Sequence, residues 1–63
     1  QKGEAYARIF RKAGVFLGKR NIARAVETLK EGQQLAERLG DARMARRFAD
    51  EIERAKSTPP AQE

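Results

Sequence analysis

These 63 residues contain no cysteine and no histidine. That removes disulfides, thiolate or imidazole metal sites, and any Cys-His or Ser-His nucleophile pair. Hydroxyl side chains are confined to Tyr6, Thr28, Ser57 and Thr58. Tryptophan is absent, and both prolines fall together in the closing stretch STPPAQE. No apolar run approaches the roughly 20 residues that span a bilayer, and no secretory signal pattern is present. Gly14 and Gly18 sit within or at the end of a helical pattern rather than between strand and helix, so no phosphate-cradling loop is expected. The densest carboxylates, Asp50, Glu51 and Glu53, are interleaved with Arg46, Arg47 and Arg54. Those arginines are expected to pair with them, which leaves none free for acid–base work or a hard metal. The expectation is a protein without catalysis, cofactor or metal. The cytoplasm is the expected compartment, and a chain opening on Gln1 is expected to be a segment of a longer one.

What is present is charge, alanine and a helical rhythm. The net charge is +5. Residues 1–21 hold all of that excess, setting Lys2, Arg8, Arg11, Lys12, Lys19 and Arg20 against Glu4 alone. The remaining two thirds balance acid against base. Of 25 apolar residues, 11 are alanine, so few large side chains are left for a core. A chain this short buries only about 60% of its unfolded surface and needs help from neighbours or from copies of itself.

The chain is organised around Asn21–Asp41. Asn21 suits a helix start. Ile22, Ala25, Val26, Leu29, Ala36 and Leu39 then recur at spacings of three, four and seven, with Leu35 widening the stripe. Gly40 suits the left-handed position past a helix end, and Asp41 suits the cap of the next helix. Gly32, which costs about 1 kcal/mol against alanine inside a helix, predicts the close approach of another backbone. Before this stretch a first helix is predicted over about 3–17. It carries one stripe of Tyr6, Phe10, Ala13 and Leu17 and a second of Ile9, Ala13 and Phe16, and it ends at Gly18. A short link predicts that the first two helices are antiparallel. After it a third helix is predicted over about 42–56, with Ala45, Phe48, Ile52 and Ala55 inward and Met44 alongside. Its outer face predicts ion pairs Arg46–Asp50, Arg47–Glu51 and Asp50–Arg54. The reading is an all-α, three-helix domain over 1–56 with helices at about 3–17, 22–39 and 42–56. A disordered tail or linker is expected over 57–63.

From Ala13 to Asp41 the chain resembles a tetratricopeptide repeat of the variety closing on Leu-Gly-Asp. Phe16 stands at the aromatic position of the first helix, and Ile9 extends the match toward the N-terminus. Ile22, Ala25 and Val26 match the small-and-apolar start of the second helix. Gly32 falls at its second small position, and Ala36, Leu39, Gly40 and Asp41 match the close. Lys12 stands where leucine is usual and Arg20 where glycine is common. The resemblance implies an antiparallel helix-turn-helix unit of an α-solenoid. The third helix then opens a following repeat or caps the unit. Stacked units share a core, so an isolated one exposes an apolar end.

That resemblance implies a module for protein–protein interaction, an adaptor or scaffold that binds a peptide or helix along the face lined by first helices. By position, Ala7, Phe10, Gly14 and Leu17 face the partner, with Arg8, Arg11 and Lys12 against an acidic rim. Burial against the third helix is the competing expectation for the same residues: it is favoured for Leu17 and evenly balanced for Phe10. Self-association through exposed helix faces is a related expectation. A different class is a basic helical domain binding nucleic acid or another acidic surface, because clustered cations bind phosphates by counterion release. Against it, no aromatic stacking platform is present and the third helix is charge-balanced.

Overall fold

The computed structural model describes residues 1–57. They form three helices and no strand: α1 over Lys2–Gly18, α2 over Ile22–Arg38 and α3 over Ala42–Lys56. The expected tail over 57–63 falls, apart from Ser57, outside the described residues. Among the described residues no helix is long and apolar enough to cross a membrane.

Two joints set the architecture, and both close in the same way. After α1, the Asn21 N–H donates to the Phe16 carbonyl and the Arg20 N–H to the Leu17 carbonyl, each at 2.9 Å. After α2, the Asp41 N–H donates to Ala36 at 2.8 Å and the Gly40 N–H to Glu37 at 3.1 Å. This pairing satisfies carbonyls that a helix end leaves open, and it requires one left-handed residue. Gly40 fills that place at φ 70°, and Arg20 fills it at φ 63°. The first helix ends at Gly18, as expected, and the reversal falls two residues on, at Arg20, which must carry a Cβ in a conformation glycine adopts without penalty. Each following helix is capped at once. Asn21 Oδ1 accepts from the Arg24 N–H at 3.3 Å, and Asp41 Oδ1 accepts from the Met44 N–H at 3.2 Å.

The helix directions follow from side-chain meetings. Phe16, near the end of α1, lies under the Arg24 guanidinium at the start of α2, 5.4 Å from the ring centre. Lys2 and Tyr6, at the start of α1, reach Asp41 beyond the end of α2. So α2 runs back along α1. In turn α3 runs back along α2, because Phe48 of α3 packs on Gly32 in the middle of α2. Both α1 and α3 therefore start at the same end of the molecule.

Phe48 is the centre of the core, with no exposed surface. Its ring stacks on Phe10 with centroids 4.5 Å apart and planes 6° from parallel, and meets Tyr6 edge-on at 5.7 Å. Around it close Ala13, Leu29, Ala36, Ile52 and Ala55, with Ile9, Val26, Leu35, Met44 and Ala45 at the margins. The approach expected at Gly32 is real, but its occupant is a side chain rather than a backbone. A Cβ on Gly32 would overlap the Phe48 ring at Cε1 and Cζ. Glycine is needed there because the ring takes the volume of the missing methyl. Thr28, the one buried polar residue among the described residues, donates its hydroxyl to the Arg24 carbonyl at 2.8 Å. Among the described residues no buried side-chain polar atom is left without a partner.

Candidate functional site

At about 100° per residue, Ala7, Phe10, Gly14 and Leu17 share one flank of α1. That flank turns toward α3. Phe10 is partly buried, with one ring face on Phe48, and the Arg47 guanidinium lies 5.2 Å from its ring centre. Ala7 and Gly14 are exposed, and nothing stands within 4 Å of where a Gly14 side chain would begin. Leu17, expected to be buried against α3, is 37% exposed. It sits at the end of α1 remote from Tyr6 and Asp41, where the tie between the two helices is made. Val15 and Leu39 are exposed further, at 56% and 49%. Leu39 follows the periodic stripe of α2 in sequence, but it is the cap residue after the last helical turn.

The three basic residues placed at the rim do not act as one group. Arg11 falls beside Ala7 and Gly14. Arg8 and Lys12, on either side of it in sequence, fall toward the opposite, outer side of α1. All three are exposed.

The α3 flank adds a residue that the sequence reading assigned elsewhere. Of the expected ion pairs, Arg46–Asp50 is made at 3.2 Å. Arg47 is not on Glu51: it lies over Phe10, and Glu51 is engaged by Arg54 at 3.7 Å. The pattern Arg-x-x-x-Glu gave no hint of this. The relevant signal was Phe10, an aromatic on the neighbouring helix at the same height. One turn before Arg47, Arg43 is exposed on the same side of α3. Among the described residues no carboxylate lies within ion-pairing distance of Arg8, Arg11, Lys12, Arg43 or Arg47.

At the top of this flank, Asp41 ties three elements together. One oxygen caps α3. The other accepts the Tyr6 hydroxyl at 3.1 Å and faces Lys2 Nζ at 3.2 Å. The Met44 N–H, with Lys2 and Tyr6 behind it, holds the Asp41 carboxyl below its usual range against the opposing effect of burial. Burial, then the hydrogen bond and charge of Asp41, pushes the Tyr6 phenol above its usual range. Both effects belong to a structural clasp, in which the neutral phenol donates and the ionised carboxylate accepts. Among the described residues there is no group of three or more acidic side chains placed to hold a metal ion.

No protein-family model matches this chain, and no curated protein or solved structure matches it. The site stands on its geometry alone.

Proposed function

We propose that this chain is a non-catalytic interaction module, a tetratricopeptide-like helical unit that binds a protein partner and associates with neighbouring units or copies of itself. What supports the reading is exposed apolar side chains on a small, otherwise well-packed fold. Leu17 and Val15, on different sides of α1, and Leu39, at the other end of the molecule from Leu17, are exposed, and nothing stands within 4 Å of where a Gly14 side chain would begin. The order of packing is also that of a stackable unit. α1 and α2 pair back to back, and α3 starts at the same end as α1, as the first helix of a following unit would.

Sedimentation velocity over micromolar to millimolar concentration tests the self-association. The expected result is a concentration-dependent shift above monomer that Leu17→Glu reduces while helicity by circular dichroism stays unchanged. A monomer throughout removes that part of the proposal.

A second reading, phosphate binding, is favoured by one observation: Arg8, Lys12, Lys19 and Arg20 are exposed along α1 and its joint. Titration with a random DNA duplex at low and moderate salt separates the two. Binding that collapses as salt rises supports the second reading, and no binding at low salt removes it.

A further inference from the structure

Resting on the interaction-module reading, we infer that the flank between α1 and α3 takes an acidic segment of a partner protein, with Arg47 and Arg11 receiving its carboxylates and the gap at Gly14 receiving an apolar side chain. Three observations carry this.

The first is the state of Arg47. Its own helix offers Glu51 one turn on, the ordinary partner for an arginine at that spacing. Glu51 is held by Arg54 instead, and the Arg47 guanidinium lies over Phe10, 5.2 Å from its ring centre. A guanidinium held over an aromatic ring by its charge keeps its N–H donors available to a ligand. The contact also restricts the side chain before any ligand arrives, so less freedom is lost on binding than for a solvated lysine. The arrangement suits a carboxylate, which the guanidinium fork meets with two parallel hydrogen bonds.

The second is charge. Arg11 borders the flank on α1, and Arg43 and Arg47 border it on α3. None has a carboxylate within ion-pairing distance among the described residues. The one acid of α1, Glu4, stands two turns before Arg11, and the two acids nearest Arg47 along α3, Asp50 and Glu51, are already engaged by Arg46 and Arg54. An acidic occupant is steered toward this flank and a basic one repelled.

The third is shape. Between the cations the surface is apolar, and at Gly14 it bears no side chain. Phe10 is partly exposed, Leu17 is 37% exposed, and no atom stands within 4 Å of the missing Gly14 side chain. A leucine or similar group fits beside Gly14, with carboxylates one turn away reaching Arg11 and Arg47.

The test uses fluorescence anisotropy on the full chain with two labelled synthetic peptides, one of repeated Glu-Leu-Glu-Glu and one with glutamine in place of every glutamate. A random DNA duplex is the third probe. The glutamate peptide is expected to bind at least about tenfold tighter than its glutamine form, since charged hydrogen bonds contribute about twice what neutral ones do. Arg47→Gln should remove about tenfold of that affinity, in the range for one lost charged hydrogen bond. Arg46→Gln removes the same charge from the outer face, where Arg46 is paired with Asp50, and should change it less than about twofold. Gly14→Leu should block both peptides. Circular dichroism confirms that each variant keeps its helicity.

Equal binding of the two peptides, with Arg47→Gln silent and Gly14→Leu still blocking, overturns the acidic partner and leaves the docking flank standing. No binding of either peptide overturns the docking flank as well. Tighter binding of the duplex, weakened by Arg8→Gln and Lys12→Gln rather than by Arg47→Gln, overturns the proposal in favour of phosphate.

Discussion

Two glycines on facing helices have opposite reasons to be there, and alanine substitution separates them. At Gly32 the Phe48 ring occupies the volume of the missing Cβ. That ring is hemmed in by Phe10 and Tyr6, so it has little room to give. Overpacking a tight core costs about 1–3 kcal/mol, more than the gain of about 1 kcal/mol from helix propensity. Gly32→Ala is therefore expected to lower the urea midpoint. At Gly14 there is open space, and Gly14→Ala is expected to raise stability by up to about 1 kcal/mol on propensity alone. Chemical denaturation of the two variants side by side checks both, and a stabilised Gly32→Ala would show that the ring moves. Arg20 offers the converse. Held left-handed at φ 63°, it carries a strain that Gly40 avoids in the matching joint. Arg20→Gly relieves that strain and adds some freedom to the unfolded chain, for a net gain of about 0.5–1 kcal/mol. A lower midpoint would mean the Arg20 side chain makes a contact that outweighs its backbone.

At the scale of whole helices, the clasp at Asp41 gives the fold a dependence on pH. The folded carboxyl titrates below its ordinary value, so its contribution is complete above about pH 4, the usual range of a free aspartate. It is lost as pH falls through the depressed folded value. Tyr6 runs the other way: its raised phenol keeps the clasp intact below about pH 10, and the contribution is lost as pH climbs through the raised folded value. Asp41→Asn keeps an oxygen to cap α3 but gives up the charge facing Lys2. Its urea midpoint should fall below that of the parent at neutral pH and converge with it in acid. A constant gap down to pH 2 would count against the clasp. None of this was legible in the sequence. Asp41 reads there as a cap, because capping is local and leaves a pattern, whereas its meeting with Tyr6 joins residues 35 positions apart. For the same reason the helices, their caps and the inner stripe of α3 were readable, since they depend on neighbours three and four along. What could not be read was the destination of Arg47 and the exposure of Leu17. Both are decided by where a second helix comes to rest.

The molecule as a whole is a small core gathered on one ring. Truncating a buried phenylalanine costs about 3–5 kcal/mol, and a core of this size supplies about the same. Phe48→Ala is therefore expected to abolish the cooperative thermal transition seen by circular dichroism. A sharp melt surviving the change would mean the apolar stripes hold the helices without it. The seat of that ring at Gly32 has one more effect. Two helices joined only by smooth stripes can slide by a turn, about 5.4 Å, and still cover most of their grease. Here such a slip would drive the ring onto Thr28 or Ala36, whose buried side chains leave no hollow to receive it. The pair is keyed rather than glued, and it accepts a single alignment along its length.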